Sequence, residues 1–303
     1  MDRQLSSINL QPGNELGPYQ LKRTLGSGGM GTVYLATQLR LDRDVALKVI
    51  KPSRVVNPGA AENFLREAAR TAQLNHPHLV AVHDAGRDEA TGLVYYAMTY
   101  VDGSTLRRVV INQKTIPPEH ALRLAHECAL GLGHAHQQGL VHRDLKPDNV
   151  LISQEKRAMV TDLGLAMDRL GNQRLNSAKT LAIVGTPEYA APEQSRNPSR
   201  AVPASDVFSL GCCLHFMLTG KDPFDGETLL DLVVRVATEE PDGWEDLAPA
   251  HRDLLELLMA KDPEDRPADG SEAAEAITLT ARGAGTGGKR RSAASIRRRR
   301  RRR

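Results

Sequence analysis

Cysteine is scarce in this chain and carries no pattern: Cys128, Cys212 and Cys213 are odd in number, two are adjacent, and none has metal-ligand spacing. That excludes a disulfide scaffold. The three read as buried free thiols of a reducing compartment, which makes the cytoplasm the expected location. Long apolar runs are missing as well. The most apolar stretch, Val207 to Leu218, has Ser209, Gly211 and His215 inside it and is shorter than the roughly 20 residues a spanning helix needs. It reads as a buried core helix. Residues 1–16 are polar with no apolar core segment, so no secretory signal is expected there. Internal repeats are absent.

What is present is a chain of 303 residues, 40% hydrophobic and 25% charged, which places it in the soluble globular class with room for one large domain or two medium ones. The net charge of +3 conceals an asymmetry. Lys289, Arg290, Arg291 and the run Arg297 to Arg303 are all basic, so the residues before them are net acidic.

Along the chain, short β-type runs come first: Tyr19 to Leu25, Thr32 to Gln38 and Asp44 to Ile50 predict an antiparallel meander. Phe64, Leu65, Ala68, Ala69 and Ala72 recur at helical spacing within Ala60 to Leu74, and Leu79 to Asp84 and Leu93 to Thr99 read as two further strands. After Gly103 the pattern turns helical: Pro118 to Gln138, Ser205 to Thr219, Glu227 to Thr238, Ala250 to Met259 and Ser271 to Ala281. The expected organisation is a flexible leader over 1–16, a domain over 17–280 divided into lobes 17–101 and 102–280, and a disordered Arg-rich basic tail over 281–303, which has almost nothing apolar to bury.

The densest chemistry lies in His142-Arg143-Asp144-Leu145-Lys146-Pro147-Asp148-Asn149, where two carboxylates, a lysine and an amide share one short connection whose proline and flanking Asx residues fix a loop. Thirteen residues past Asn149 comes Asp162-Leu163-Gly164. An amide and an acid brought together from two hairpin ends suit a hard divalent cation, as Mg²⁺ prefers. Gly26-Ser27-Gly28-Gly29-Met30-Gly31 is a G-x-G-x-x-G followed by a strand rather than a helix, so it closes a β-hairpin over which backbone N–H groups can approach phosphate oxygens. Lys48 sits inside the apolar strand Val45 to Ile50, where an unpaired charge is costly, and Glu67 on the next helix is its natural partner. The stretch from Asp162 to Glu193 is poor in apolar residues, holds Ser177, Thr180 and Thr186, and reads as a mobile surface loop.

In this order the motifs resemble the signature set of the eukaryotic-type serine/threonine protein kinase family, bacterial branch, over roughly residues 19–278. The resemblance implies an α+β, two-lobed protein kinase fold: a small antiparallel β-sheet N-lobe with one main helix and a larger α-rich C-lobe. It implies ATP and Mg²⁺ as cofactors and proteins as substrates. Gly26, Ser27, Gly28 and Gly31 would cover the phosphates, Lys48 would hold them, and Glu67 would hold Lys48. Leu25, Val33, Ala46, Met98, Val101 and Leu151 would line the adenine pocket. Asp144 matches the base, Lys146 the γ-phosphate contact, and Asn149 and Asp162 the Mg²⁺ ligands. Glu193 and Arg266 match a buried ion pair. Leu163 departs from the phenylalanine usual at its position.

Arg143 before the base implies activation by loop phosphorylation, with Thr180 the expected autophosphorylation site, Ser177 the second choice and Thr186 on the substrate side. Self-association for trans-autophosphorylation goes with that. The basic tail is expected to be either a solvated end or an electrostatic binder of nucleic acid or an acidic membrane surface. A pseudokinase scaffold is disfavoured because Lys48, Glu67, Asp144, Asn149 and Asp162 are all present. A nucleic-acid-binding protein built around the tail is disfavoured by the tail's small share of the chain, and a small-molecule phosphotransferase by Lys146 and Thr186.

Overall fold

A computed structural model describes residues 10–52, 58–164, 187–197 and 200–285. Within them the chain forms two compact units, the first from 10–52, 58–76, 80–102 and 164, the second from 77–79, 103–163, 187–197 and 200–285.

The first unit is a six-stranded antiparallel sheet in the order β1-β2-β3-β4-β6-β5, made of β1 (Glu15–Leu16), β2 (Tyr19–Ser27), β3 (Gly31–Gln38), β4 (Arg43–Ile50), β5 (Val82–Arg87) and β6 (Val94–Thr99). Period-2 alternation sorts its side chains. One face carries Tyr34, Ala36, Val45, Leu47, Val49, Tyr95 and Ala97, which close with Leu16, Tyr19, Leu21 and Leu93 into a buried cluster. The opposite face carries Val33, Lys48 and Tyr96, which are cross-strand partners, and then Leu35, Ala46 and Met98. Helix α1 (Pro58–Thr71) packs on this second face, with the Phe64 ring 5.7 Å from that of Tyr96.

The second unit holds a three-stranded sheet, β7 (Gly103–Thr105), β8 (Val150–Ser153) and β9 (Ala158–Val160), with seven helices: α2 (Leu106–Gln113), α3 (Pro118–Gln137), α4 (Pro192–Arg196), α5 (Pro203–Thr219), α6 (Leu229–Thr238), α7 (Pro249–Leu258) and α8 (Gly270–Gly285). Local chemistry sets several ends. The Thr105 and Thr228 hydroxyls accept from Arg108 and Asp231 N–H at the starts of α2 and α6, and Gly220 in the left-handed region stops α5. As expected, α5 is buried almost throughout, and all three cysteines are buried and free. Helices α3 and α8 approach each other closely: a Cβ on Gly270 would lie 2.3 Å from the Gly133 nitrogen.

Four expectations need correction. Residues 10–16 are not a loose leader: Leu16 is fully buried in β1, Leu10 packs against the sheet cluster, and Gly13 N–H donates to Leu21 C=O at 2.7 Å. Two leucines in a polar run were enough to anchor it. The run Leu79 to Asp84 is not one strand, since Leu79 bridges to Val160 in the second unit while Val82–Arg87 pairs within the first sheet. Helix α8 runs past 281 to Gly285, carried by the high helix propensity of Ala281 and Ala284 although Ala281, Arg282 and Gly283 are exposed. Short elements β1, β7, α2 and α4 were not foreseen. Ser177, Thr180, Thr186 and the basic residues 289–303 lie outside the described residues. Among the described residues no helix is long and apolar enough to cross a membrane.

Candidate active site

In the first unit, β2 and β3 close the glycine motif as a hairpin: Gly26 pairs with Val33, Ser27 with Thr32, and Gly28 N–H donates to Gly31 C=O at 2.9 Å. The glycines differ in their reasons. A Cβ on Gly31 would fall 2.1 Å from the Val49 carbonyl oxygen, so sheet packing alone forbids a side chain. Gly26 and Gly28 have no positive φ, and a Cβ there would meet nothing within 4 Å. Neither backbone strain nor packing requires them to be glycine, which leaves the open space above that backbone as the reason.

Below the hairpin, Lys48 is 6% exposed on β4, with Nζ 5.9 Å from the Tyr96 ring centroid. Val33, Ala46 and Met98 share its face, the one away from the main cluster. Glu67 is half-buried on α1, one helical turn beyond Phe64, which brings it to the helix side that packs on that face. Leu25 and Val101 are half-buried in the same unit.

In the second unit, the loop 142–149 is suspended from one buried acid. Asp206 on α5 is fully buried and accepts the N–H groups of His142 (2.6 Å) and Arg143 (2.8 Å), with His136 Nε2 at 2.9 Å. The ring of His142 is also fully buried, its Nε2 2.9 Å from the Thr161 carbonyl. Beyond that anchor, Arg143 takes a left-handed φ of 68°, and Gln194 Nε2 donates to its carbonyl at 2.9 Å. Asp144 receives Lys146 Nζ at 3.0 and 3.3 Å. The Asn149 amide Nδ2 donates to the Asp144 carbonyl at 2.7 Å, which leaves Oδ1 as the atom available to a cation.

The β8–β9 hairpin then returns the chain to Asn149, whose C=O accepts Thr161 N–H at 3.0 Å. Asp162, next in sequence and at φ 62°, is thereby placed beside Asn149. Leu151 is half-buried on β8, and Leu163 is 4% exposed, filling an apolar position. Among the described residues no three His, Cys, Asp or Glu side chains gather into a metal cage. One carboxylate and one amide oxygen are a hard, incomplete donor set, which fits Mg²⁺ because that ion keeps waters and uses substrate phosphate oxygens for the rest.

Glu193 and Arg266 form an ion pair. Arg266, with a fully buried side chain, pairs with Glu193 at 2.8 and 3.0 Å and also donates to the carbonyls of Ala260, Ala204 and Lys261, so all five N–H groups are used. Ser205 Oγ donates to the same Glu193 at 2.6 Å. Three buried polar side-chain atoms lack a partner among the described residues: Arg143 Nε, Glu188 Oε2 and Ser195 Oγ. Asp222 and Arg107, unmarked in sequence, enter the surroundings of the loop through Asp148, with Arg107 Nε 2.7 Å from Asp148 Oδ2. No spacing signal could have found them, because the contacts span 41 and 115 residues.

Burial works to raise the pKa of Asp206, but hydrogen bonding and charge from His136, with His142, hold it below the usual aspartate range. Glu193 follows the same logic: desolvation raises it, and Arg266 outweighs that and lowers it. Carboxyls depressed in the folded state stabilise above their unfolded pKa values, and that contribution is lost as pH falls through the folded ones. Urea midpoints should therefore change little through neutral pH and fall below about pH 4, the ordinary carboxylate range. Asp206→Asn should flatten this acid limb while lowering the neutral plateau. An unchanged acid slope in that variant would contradict the assignment.

A protein kinase domain model matches residues 19–278. Serine/threonine-protein kinase PknB of Mycobacterium leprae is 39% identical over 259 residues, spanning 82% of this chain and 40% of that protein. Serine/threonine-protein kinase PknA of Mycobacterium tuberculosis is 36% identical over 274 residues, 88% of this chain and 62% of that protein. The chain thus spans less than two thirds of these relatives. Among solved structures, the Mycobacterium tuberculosis PknI kinase domain superposes with a TM-score of 0.71 at 27% identity, covering 90% of this chain and all of that one. The fold shared with it is an antiparallel sheet with one helix followed by a helical region.

Proposed function

The chain belongs to the protein kinase domain family, and from that premise we propose that it is a serine/threonine kinase, moving the γ-phosphate of ATP to serine and threonine hydroxyls of proteins. The observation that carries this reading is the loop 142–149: a carboxylate, a lysine bonded to it and an amide whose orientation is fixed, all hung from one buried acid. Phosphoryl transfer leaves a protein mainly positioning and charge compensation to supply, and a loop so restrained supplies positioning.

Asp144 takes the proton of the acceptor hydroxyl as the hydroxyl oxygen bonds to the γ-phosphorus, the bond from that phosphorus to the bridging oxygen breaks, and ADP departs with its electron pair. Lys146 contacts the γ-phosphate, and Lys48, kept in place by Glu67, contacts the α- and β-phosphates. The backbone of Gly26, Ser27, Gly28 and Gly31 covers the phosphates. Leu25, Val33, Ala46, Met98, Val101 and Leu151 take the adenine. Asn149 and Asp162 would hold Mg²⁺, whose charge when bound offsets that of the triphosphate.

Activation by phosphorylation of Thr180, with Ser177 the second choice and a pair of chains acting in trans, belongs to the same proposal. It is supported by Arg143, whose buried Nε has no partner among the described residues and is suited to an anion. Incubation of the pure chain with Mg-ATP, followed by phosphoamino-acid analysis and phosphopeptide mapping, should find phosphothreonine at Thr180 and rising activity. Active protein modified at neither Thr180 nor Ser177 would sink the activation claim and leave phosphotransfer standing.

A further inference from the structure

Arg107, the second residue of α2, joins parts of the second unit that are far apart in sequence. Leu106 beside it is buried in the unit's core, and Thr105 caps the helix, so the start of α2 is fixed. From there the Arg107 side chain, 23% exposed, lies between two rings, its Cζ 5.6 Å from the Tyr189 centroid and 5.1 Å from that of Phe216. Its Nε donates to Asp148 Oδ2 at 2.7 Å and its Nη1 to Asp222 Oδ1 at 3.2 Å. The same Asp222 oxygen accepts the Tyr189 hydroxyl at 2.5 Å.

Resting on the phosphotransfer reading above, we propose that Arg107 is a positioning residue that locks the loop bearing Asp144 to the turn Pro187–Tyr189, and so fixes where a protein acceptor hydroxyl meets Asp144. Each half has its own supports. Asp206 and Asn149 hold the loop, and Ser209 Oγ donates to the Tyr189 carbonyl at 2.7 Å. Gln194 supplies one tie between the loop and the stretch 187–197, at the Arg143 carbonyl, and Arg107 supplies a second at Asp148. Stability is a poor explanation for this arrangement, because both carboxylates are solvent-facing, at 46% and 44% exposure, and such pairs contribute little. Geometry is a good one. A planar guanidinium holds two carboxylates at fixed angles while stacked on rings, which a lysine cannot reproduce.

The test uses the full chain with Arg107→Met and Arg107→Lys, a generic basic protein as acceptor, and acceptor-free ATP hydrolysis as the internal control. Arg107→Met should lower kcat/KM for the protein acceptor by on the order of tenfold or more, as small misplacements do. It should leave acceptor-free hydrolysis and the KM for Mg-ATP within about twofold. Arg107→Lys should recover only part of the loss. Equal losses in both reactions, or full recovery by lysine, would show a general structural role and overturn the proposal, as would an undiminished kcat/KM. A wild type that hydrolyses ATP yet phosphorylates no protein would overturn the underlying phosphotransfer reading instead.

Discussion

An Asp144→Asn variant should retain its fold and its affinity for Mg-ATP and lose about 10²–10⁴-fold in kcat for protein phosphorylation, the span typical of removing a positioned general base. The geometry makes this a clean substitution. Asp144 holds its backbone place through its carbonyl, which accepts Asn149 Nδ2, and its N–H faces His142 Nδ1 at 3.3 Å. Neither contact uses the carboxylate, whose hydrogen-bond partner among the described residues is Lys146 Nζ. An amide of the same shape therefore keeps the loop and removes the proposed proton acceptor. Binding of ATP, assigned to other side chains, should change little, so the loss should fall on kcat rather than on the KM for ATP. A drop of less than about tenfold would remove Asp144 from the role of base.

The second large effect is on stability. Arg266→Ala should destabilise the protein by about 3–5 kcal/mol, because it leaves the Glu193 carboxylate without its charged partner and three backbone carbonyls without their donor. In a domain of this size that corresponds to a fall in melting temperature on the order of 10 °C. Glu193→Ala should cost a similar amount for the reciprocal reason, leaving a buried guanidinium whose Cζ stacks 4.9 Å from the Phe208 ring centroid. The double replacement Glu193→Ala with Arg266→Ala should cost less than the two single losses added together, since no charge is then buried alone. Differential scanning calorimetry of the four proteins decides it. Additive losses would show that the two residues do not act as a pair.

Lys48 in an apolar strand was legible because period-2 alternation makes a charge there anomalous, and β4 places it on the face away from the main cluster as that period requires. The loop 142–149 was legible because its residue types are dense and local. Its suspension was not: Asp206 is 64 residues from His142 and 70 from His136, and no local pattern links them. The same limit hid Arg107, which looks like any surface arginine until Asp148, Asp222 and Tyr189 are brought around it. Leu10 and Leu16 were overlooked because a polar window averages two anchoring leucines away. The break between Leu79 and Val82 was missed because both halves of the run are apolar enough to read as one strand, while their hydrogen-bonding partners lie in different units.

The central claim is metal-dependent phosphoryl transfer to protein hydroxyls, and it meets its most direct test in labelled-phosphate transfer from Mg-ATP to a generic basic protein by wild type and Asp162→Asn side by side. The wild type should label serine and threonine. The variant, with one of the two proposed metal-binding oxygens replaced by a neutral amide, should fall close to background. Equal labelling by both proteins, or none by the wild type, would contradict the account.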